Sequence, residues 1–133
     1  MAELGLASSV DFCGRVDNAD IPSLYDAADC MLNPSTVDNM PISILEAFAS
    51  GVPVVSTDAG GIPDVVERGV SGLLVPVADV EAMGRAAVDV LRDPALAGRL
   101  RAAGREATGA YAWPAVRDQW LRLYRAVARR DRG

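Results

Sequence analysis

Short runs of apolar, strand-forming residues alternate along this chain with stretches of helical periodicity. A chain patterned this way folds as an α/β domain, a Rossmann-like parallel sheet with flanking helices. The strands read as Val10 to Arg15, Cys30 to Pro34, Val52 to Ser56 and Gly72 to Pro76. Helices are expected from Ile21 to Ala28, opened by Asp20 and Pro22, and from Ile42 to Ser50, stopped by Gly51. A short one runs from Pro63 to Arg68, ended by Gly69; another, capped by Asp79, runs to about Arg92, where Asp93-Pro94 breaks it. The near-continuous apolar strands fit burial on both sides.

Beyond Pro94 the pattern is wholly helical, first through the arginine- and alanine-rich stretch from Ala95 to about Ala107. Trp113, Val116, Trp120, Leu123, Tyr124 and Val127 then recur at spacings of three and four, which marks one apolar face of a last helix. Arg122, Arg125 and Arg129 share another face. Met1 to Leu6 reads like the last turn of a helix whose beginning is missing, as though the chain starts mid-fold.

The 133 residues, half of them hydrophobic, suit one domain with a real core. No apolar stretch reaches the length of a bilayer span, and no basic segment followed by an apolar core opens the chain, so a cytoplasmic location is expected. The chain has neither histidine nor lysine. That removes a histidine base, a histidine-ligated metal and a lysine Schiff base. Cys13 and Cys30, each in a strand-like run, read as two buried free thiols in a reducing compartment. Residues 1–91 hold three arginines against fourteen acids, a balance of −11, and residues 92–133 ten against four, +6. The acidic body argues against nucleic acid as a partner.

Ligands of open parallel sheets gather where loops leave the C-terminal ends of strands. The loop from Ser35 to Met40 is such a place. Pro41 suits the first helical position, with Asn39 or Asp38 as cap. The free amides of the first turn, from Ile42, Ser43 and Ile44, favour a phosphate together with the positive end of the helix dipole. Glu46 is the single charge between Asn39 and Thr57. Two readings are open for it and Asp38. Asp38 is a cap and Glu46 faces solvent, or the two acids meet a polar ligand, with Glu46 accepting from two vicinal hydroxyls such as those of a ribose. Ile42, Leu45 and Ala49 on one face, flanked by Ile44, Ala47 and Phe48, leave little room for a solvent face, which favours the ligand.

Asn33-Pro34-Ser35-Thr36, the spacing from Asp38 to Glu46, the run Glu46 to Val55, Gly60-Gly61-Ile62-Pro63-Asp64 and Gly72-Leu73-Leu74-Val75 together resemble the C-terminal domain of glycosyltransferase family 4, the group 1 glycosyltransferases. The resemblance runs from about Leu4 to Gly104. It implies residues 1–133 as a single partial C-terminal, donor-binding domain of a GT-B fold, with 95–133 as a helical tail. It implies sugar transfer from a nucleotide-diphosphate donor with retention of configuration, and no cofactor or essential metal. On the family pattern Asp38, where glutamate is more common, is the catalytic position and touches the transferred sugar. Glu46 binds the donor ribose. Ser35 belongs to the donor loop, the backbone of Asn39, Met40, Pro41, Ile42 and Ser43 meets sugar and diphosphate, and Arg15 and Val16 lie by the nucleobase. Asp38 is one methylene shorter than glutamate, and Asn39 and Met40 stand where a glycine and an aromatic are usual, which leaves sugar preference open.

The family's C-terminal domain usually opens with two more strand–helix units that carry an arginine and a lysine for the diphosphate, and an N-terminal acceptor domain precedes it. Without those cations the departing diphosphate loses its main electrostatic support, so this chain alone is expected to be inactive. The strands here would be the third to sixth of the usual order 3-2-1-4-5-6. Val10 to Gly14 would then either re-pair beside Cys30 to Asn33 or leave an open edge. A non-catalytic module binding a nucleotide or a protein partner is the alternative function. A dinucleotide-dependent dehydrogenase is a poor third, since no Gly-x-Gly-x-x-Gly follows a strand. Gly60-Gly61 reads as a turn, or as a place where backbone approaches the donor. The last helix packs on a neighbouring domain or, through its arginines, touches an anionic membrane at the inner face. The acceptor is not specified by any of these residues.

Overall fold

The computed structural model describes residues 4–130, with side chains to residue 128. The reading of Met1 to Glu3 and the face assigned to the Arg129 side chain lie outside the described residues. Three parallel strands form the sheet in the order β1 (Met31–Asn33), β2 (Val54–Thr57), β3 (Leu73–Val75). Leu32 pairs with Val55, and Val55 with Leu73. The helices are α1 (Ile21–Asp26), α2 (Ile42–Ser50), α3 (Ile62–Val65), α4 (Val80–Arg92), α5 (Pro94–Thr108) and α6 (Trp113–Arg130). Among the described residues no helix is long and apolar enough to cross a membrane.

Local chemistry sets most of these bounds. Gly51 ends α2 at φ 73°, a left-handed conformation open to glycine at little cost. Asp79 accepts from the amide of Ala82 at the start of α4, and Asp93 from those of Ala95 and Leu96 at the start of α5, satisfying first-turn donors. The two faces of β2 feed separate clusters. Val54 joins Ile44, Phe48 and Ile62 of α2 and α3, whereas Val55 joins Val90 and Leu100 of α4 and α5.

Of the three described strands, only β2 is buried along its whole length. Leu32, in the edge strand β1, remains 49% exposed. The expected strand from Val10 to Arg15 does not form: the segment is irregular, Phe12 is 83% exposed, and it neither pairs with β1 nor lies in the sheet. A strand needs a ladder partner, and β1 pairs only with β2 among the described residues. The expected burial of both thiols fails with it, Cys13 being exposed and Cys30 half-buried. In α6 the expected apolar face exists but is uncovered, with Trp113, Leu123 and Tyr124 each more than half exposed. The third helix is shorter than expected, ending at Val65, before an isolated bridge between Arg68 and Gly72.

Candidate functional site

The loop from β1 to α2 is tied down by the ends of two strands. Asn33, buried at the end of β1, accepts through its Oδ1 from the Ser35 hydroxyl at 2.7 Å and the Ser35 amide at 3.3 Å. Thr57, at the end of β2, donates from its hydroxyl to the Ser35 carbonyl at 2.5 Å. Further along, the Gly61 amide donates to the Asp38 carbonyl at 2.9 Å. A Cβ on Gly60 or Gly61 would overlap the carbonyl oxygens of Asp38 and Asn39 respectively. The glycine pair is indeed a turn, with Gly60 at φ +52°, and the backbone it approaches is that of the loop carrying Asp38.

The expected cap of α2 is corrected. Pro41 itself occupies the N-cap, extended at φ −67° and ψ 115°, and no side chain caps the helix. The Asp38 carbonyl accepts from the Gly61 amide instead, outside α2. Of the three amides expected to be free, that of Ile44 donates to the Pro41 carbonyl at 3.1 Å. Ile42 and Ser43 keep first-turn amides without an intrahelical acceptor.

The expected crowding around Glu46 is also only half met. Ile44, Ala47 and Phe48 are the buried face, while Ile42 is 68% exposed and Ala49 is exposed, so α2 does have a solvent side. Glu46 lies between the two, half-buried. Its Oε2 accepts from the Tyr25 hydroxyl at 3.3 Å, and that hydroxyl also lies 3.0 Å from the Ser43 carbonyl. Burial, the Glu46 charge and this hydrogen bond all raise the Tyr25 pKa above 10.0. Glu46, Tyr25, Ile21, Leu24 and Met31 line a cavity of about 300 Å³ where α1, α2 and β1 meet.

The structure thus groups Ser35, Asp38, Asn39, Met40, Pro41, Ile42, Ser43 and Glu46 on one loop and the helix it feeds. Asp38 is half-buried, and Asn39 and Met40 are exposed. Arg15, exposed, and Val16, half-buried, lie in the irregular segment before α1, with no hydrogen bond to the loop or α2 among the described residues. Tyr25 and Thr57 belong to none of the motifs in the sequence, yet both hold the site in place. The signal for Tyr25 was its place one turn after Ile21, a polar tip on the inward side of α1.

The family model described as glycosyl transferases group 1 matches residues 1–93. The chain is 37% identical over 125 residues to the phosphatidyl-myo-inositol mannosyltransferase of Mycobacterium leprae, covering 93% of this chain and 33% of that protein. Sucrose-phosphate synthase from Thermosynechococcus elongatus superposes with a TM-score of 0.87 at 35% identity, over 95% of this chain and 32% of that one. The HepE protein of Anabaena, in complex with UDP-glucose, gives 0.82 at 26% identity, over 94% and 34%. The chain spans about a third of the length of the relatives it matches. The parallel α/β fold expected from the resemblance is the one these solved GT-B transferases share with it.

Proposed function

This chain belongs to the group 1 glycosyl transferases, and from that premise we propose that it is the donor-binding part of a sugar transferase that uses a nucleotide-diphosphate sugar. One observation carries the reading. The Glu46 carboxylate is half-buried and hydrogen-bonded at the wall of a cavity, one turn from a helix N-terminus that has amides to give. A carboxylate suits vicinal hydroxyls, and free amides at the positive end of α2 suit a diphosphate. Relatives that bind UDP and UDP-glucose support the class of donor.

In this reading Glu46 accepts from the ribose, and the Ile42 and Ser43 amides meet the diphosphate. Asp38, held through its carbonyl, presents its carboxylate to the transferred sugar. Ser35, Asn39, Met40 and Pro41 shape the loop, and Arg15 and Val16 flank the nucleobase. Residues 1–133 form one donor-binding domain with 95–133 as its helical tail. The transfer is retaining, of the family 4 type, and needs no cofactor besides the donor.

Negative charge develops on the departing diphosphate. Two amides and a helix dipole are a weak substitute for cations there, and the chain has no lysine. The 133 residues alone are therefore expected to bind a donor without turning it over. The second reading is a nucleotide- or partner-binding module without catalysis. The uncovered face of α6 is best filled by a neighbouring domain or partner chain; contact of Arg122, Arg125 and the exposed tryptophans with an anionic membrane is the alternative. Liposome co-sedimentation that is lost at high salt favours the membrane.

Calorimetry with UDP, GDP, ADP and their sugars tests the main reading. Binding of one series, weakened by Glu46→Ala, supports it. Absence of binding to all of them overturns it.

A further inference from the structure

We propose that Tyr25 is a positioning residue that fixes the Glu46 carboxylate and thereby sets how strongly the site distinguishes a ribose from a deoxyribose. The proposal rests on the reading of Glu46 as the acceptor for ribose hydroxyls.

Tyr25 belongs to α1 and Glu46 to α2, so their contact crosses from one helix to the next. The Tyr25 ring packs against the cluster that holds Ile44 and Phe48. Its single hydroxyl hydrogen is thereby shared between two acceptors of α2, the Ser43 carbonyl at 3.0 Å and Glu46 Oε2 at 3.3 Å. Ser43 lies three residues before Glu46, so the phenol bridges the first turn and the carboxylate above it.

A free glutamate on a half-exposed helix face samples several rotamers and loses that freedom when a ligand orders it. Here part of that ordering accompanies folding. The geometry also leaves capacity for a ligand. A carboxylate offers about four lone-pair sites; Tyr25 occupies one on Oε2, and Oε1 remains for a diol. Tyrosine suits this post because its hydroxyl donates at neutral pH. Burial and the adjacent carboxylate keep it protonated well into alkaline solution.

A purely structural tyrosine would make the same ring contacts without influencing hydroxyl recognition. Tyr25→Phe separates the two, since it keeps the ring and deletes the hydroxyl. The experiment is calorimetry of the 133-residue chain, as wild type, Tyr25→Phe, Glu46→Ala and the double variant. Each is titrated with whichever of UDP, GDP and ADP binds the wild type, and with its 2′-deoxy counterpart. Glu46→Ala is expected to lose about tenfold in affinity for the ribonucleotide and little for the deoxynucleotide, the loss typical of a charge-assisted hydrogen bond. Tyr25→Phe is expected to narrow the preference for ribose by about threefold or more, and the double variant to resemble Glu46→Ala.

A Glu46→Ala effect with an unchanged ribose preference in Tyr25→Phe overturns the role of Tyr25 alone. So does a double variant whose losses simply add. No nucleotide binding by the wild type, or no effect of Glu46→Ala, overturns the reading of Glu46 beneath it. If Tyr25→Phe fails to fold, the chain labelled with 3-fluorotyrosine replaces it, its resonances assigned with Tyr111→Phe and Tyr124→Phe. A Tyr25 fluorine shift on nucleotide binding supports the proposal, and an unmoved resonance under saturation overturns it.

Discussion

The Gly61 amide donates to the Asp38 carbonyl across 2.9 Å, so the turn after β2 holds the loop after β1 backbone to backbone. No side chain fits between them. Gly61→Ala drives a Cβ into the Asn39 carbonyl, where neither partner is a flexible side chain that could give way. The expected result is a loss of about 1–3 kcal/mol in urea unfolding, the range for overpacking. Nucleotide affinity should fall as well, because relief of the overlap displaces the segment that carries Asp38. Unchanged stability and affinity would show that the two turns are not coupled.

Much of this arrangement is legible in the residues because it is set locally. Gly51 stops α2, Asp79 caps α4, Asp93-Pro94 ends it, and the apolar runs at β1, β2 and β3 pair in chain order. What sequence reasoning missed depends on partners distant in the chain. Val10 to Arg15 has strand composition, but a strand exists only with a ladder neighbour, and none lies beside it among the described residues. The loop before the Pro41 N-cap is held by Gly61, twenty-three residues beyond Asp38, a contact that local sequence does not reveal. Helical spacing placed Glu46 near a buried face, yet it could not show which face would be buried or that Tyr25 would meet it.

The same contact gives Tyr25 a pH signature. Its folded pKa is raised above 10.0, by burial first and then by the charge and hydrogen bond of Glu46. The native state therefore holds this proton more tightly than the unfolded chain. The resulting stabilisation is fully present below pH 10, the unfolded value, and is lost as pH rises through the folded pKa. Urea unfolding from pH 8 to 11 should show stability falling at the alkaline end, and Tyr25→Phe should lack that part of the decline. A parallel decline in both proteins would place the alkaline sensitivity elsewhere.

The two cysteines should be distinguishable by reagent. Cys13 is exposed in an irregular segment. Cys30 is half-buried just before β1, and burial with the nearby Asp29 charge pushes its thiol up from 9.0. The thiolate is the reactive form. Alkylation at pH 8 followed by peptide mass mapping should therefore find Cys13 modified first and Cys30 several-fold slower, by about an order of magnitude on access and thiolate fraction together. Equal rates would mean that the start of β1 opens readily.

Two glycines of α5 should respond to alanine with opposite signs. Gly98 is exposed, and a Cβ there meets nothing within 4 Å. Helix propensity alone decides, so Gly98→Ala should stabilise by about 0.5–1 kcal/mol. Gly104 gains the same propensity, but its Cβ would sit 2.8 Å from Cδ1 of Phe48, a ring 1% exposed with no space to retreat. Overpacking of about 1–3 kcal/mol then outweighs the propensity, and Gly104→Ala should destabilise. Phe48→Ala on its own should cost about 3–5 kcal/mol, the range for a buried ring. Combined with Phe48→Leu, Gly104→Ala should cost less than it does alone, since the smaller side chain clears the Cβ. Urea unfolding of Gly104→Ala, Phe48→Leu, their double variant and the wild type measures that coupling directly. Additive losses would mean that α5 relieves the overlap by shifting along α2 instead of pressing on Phe48.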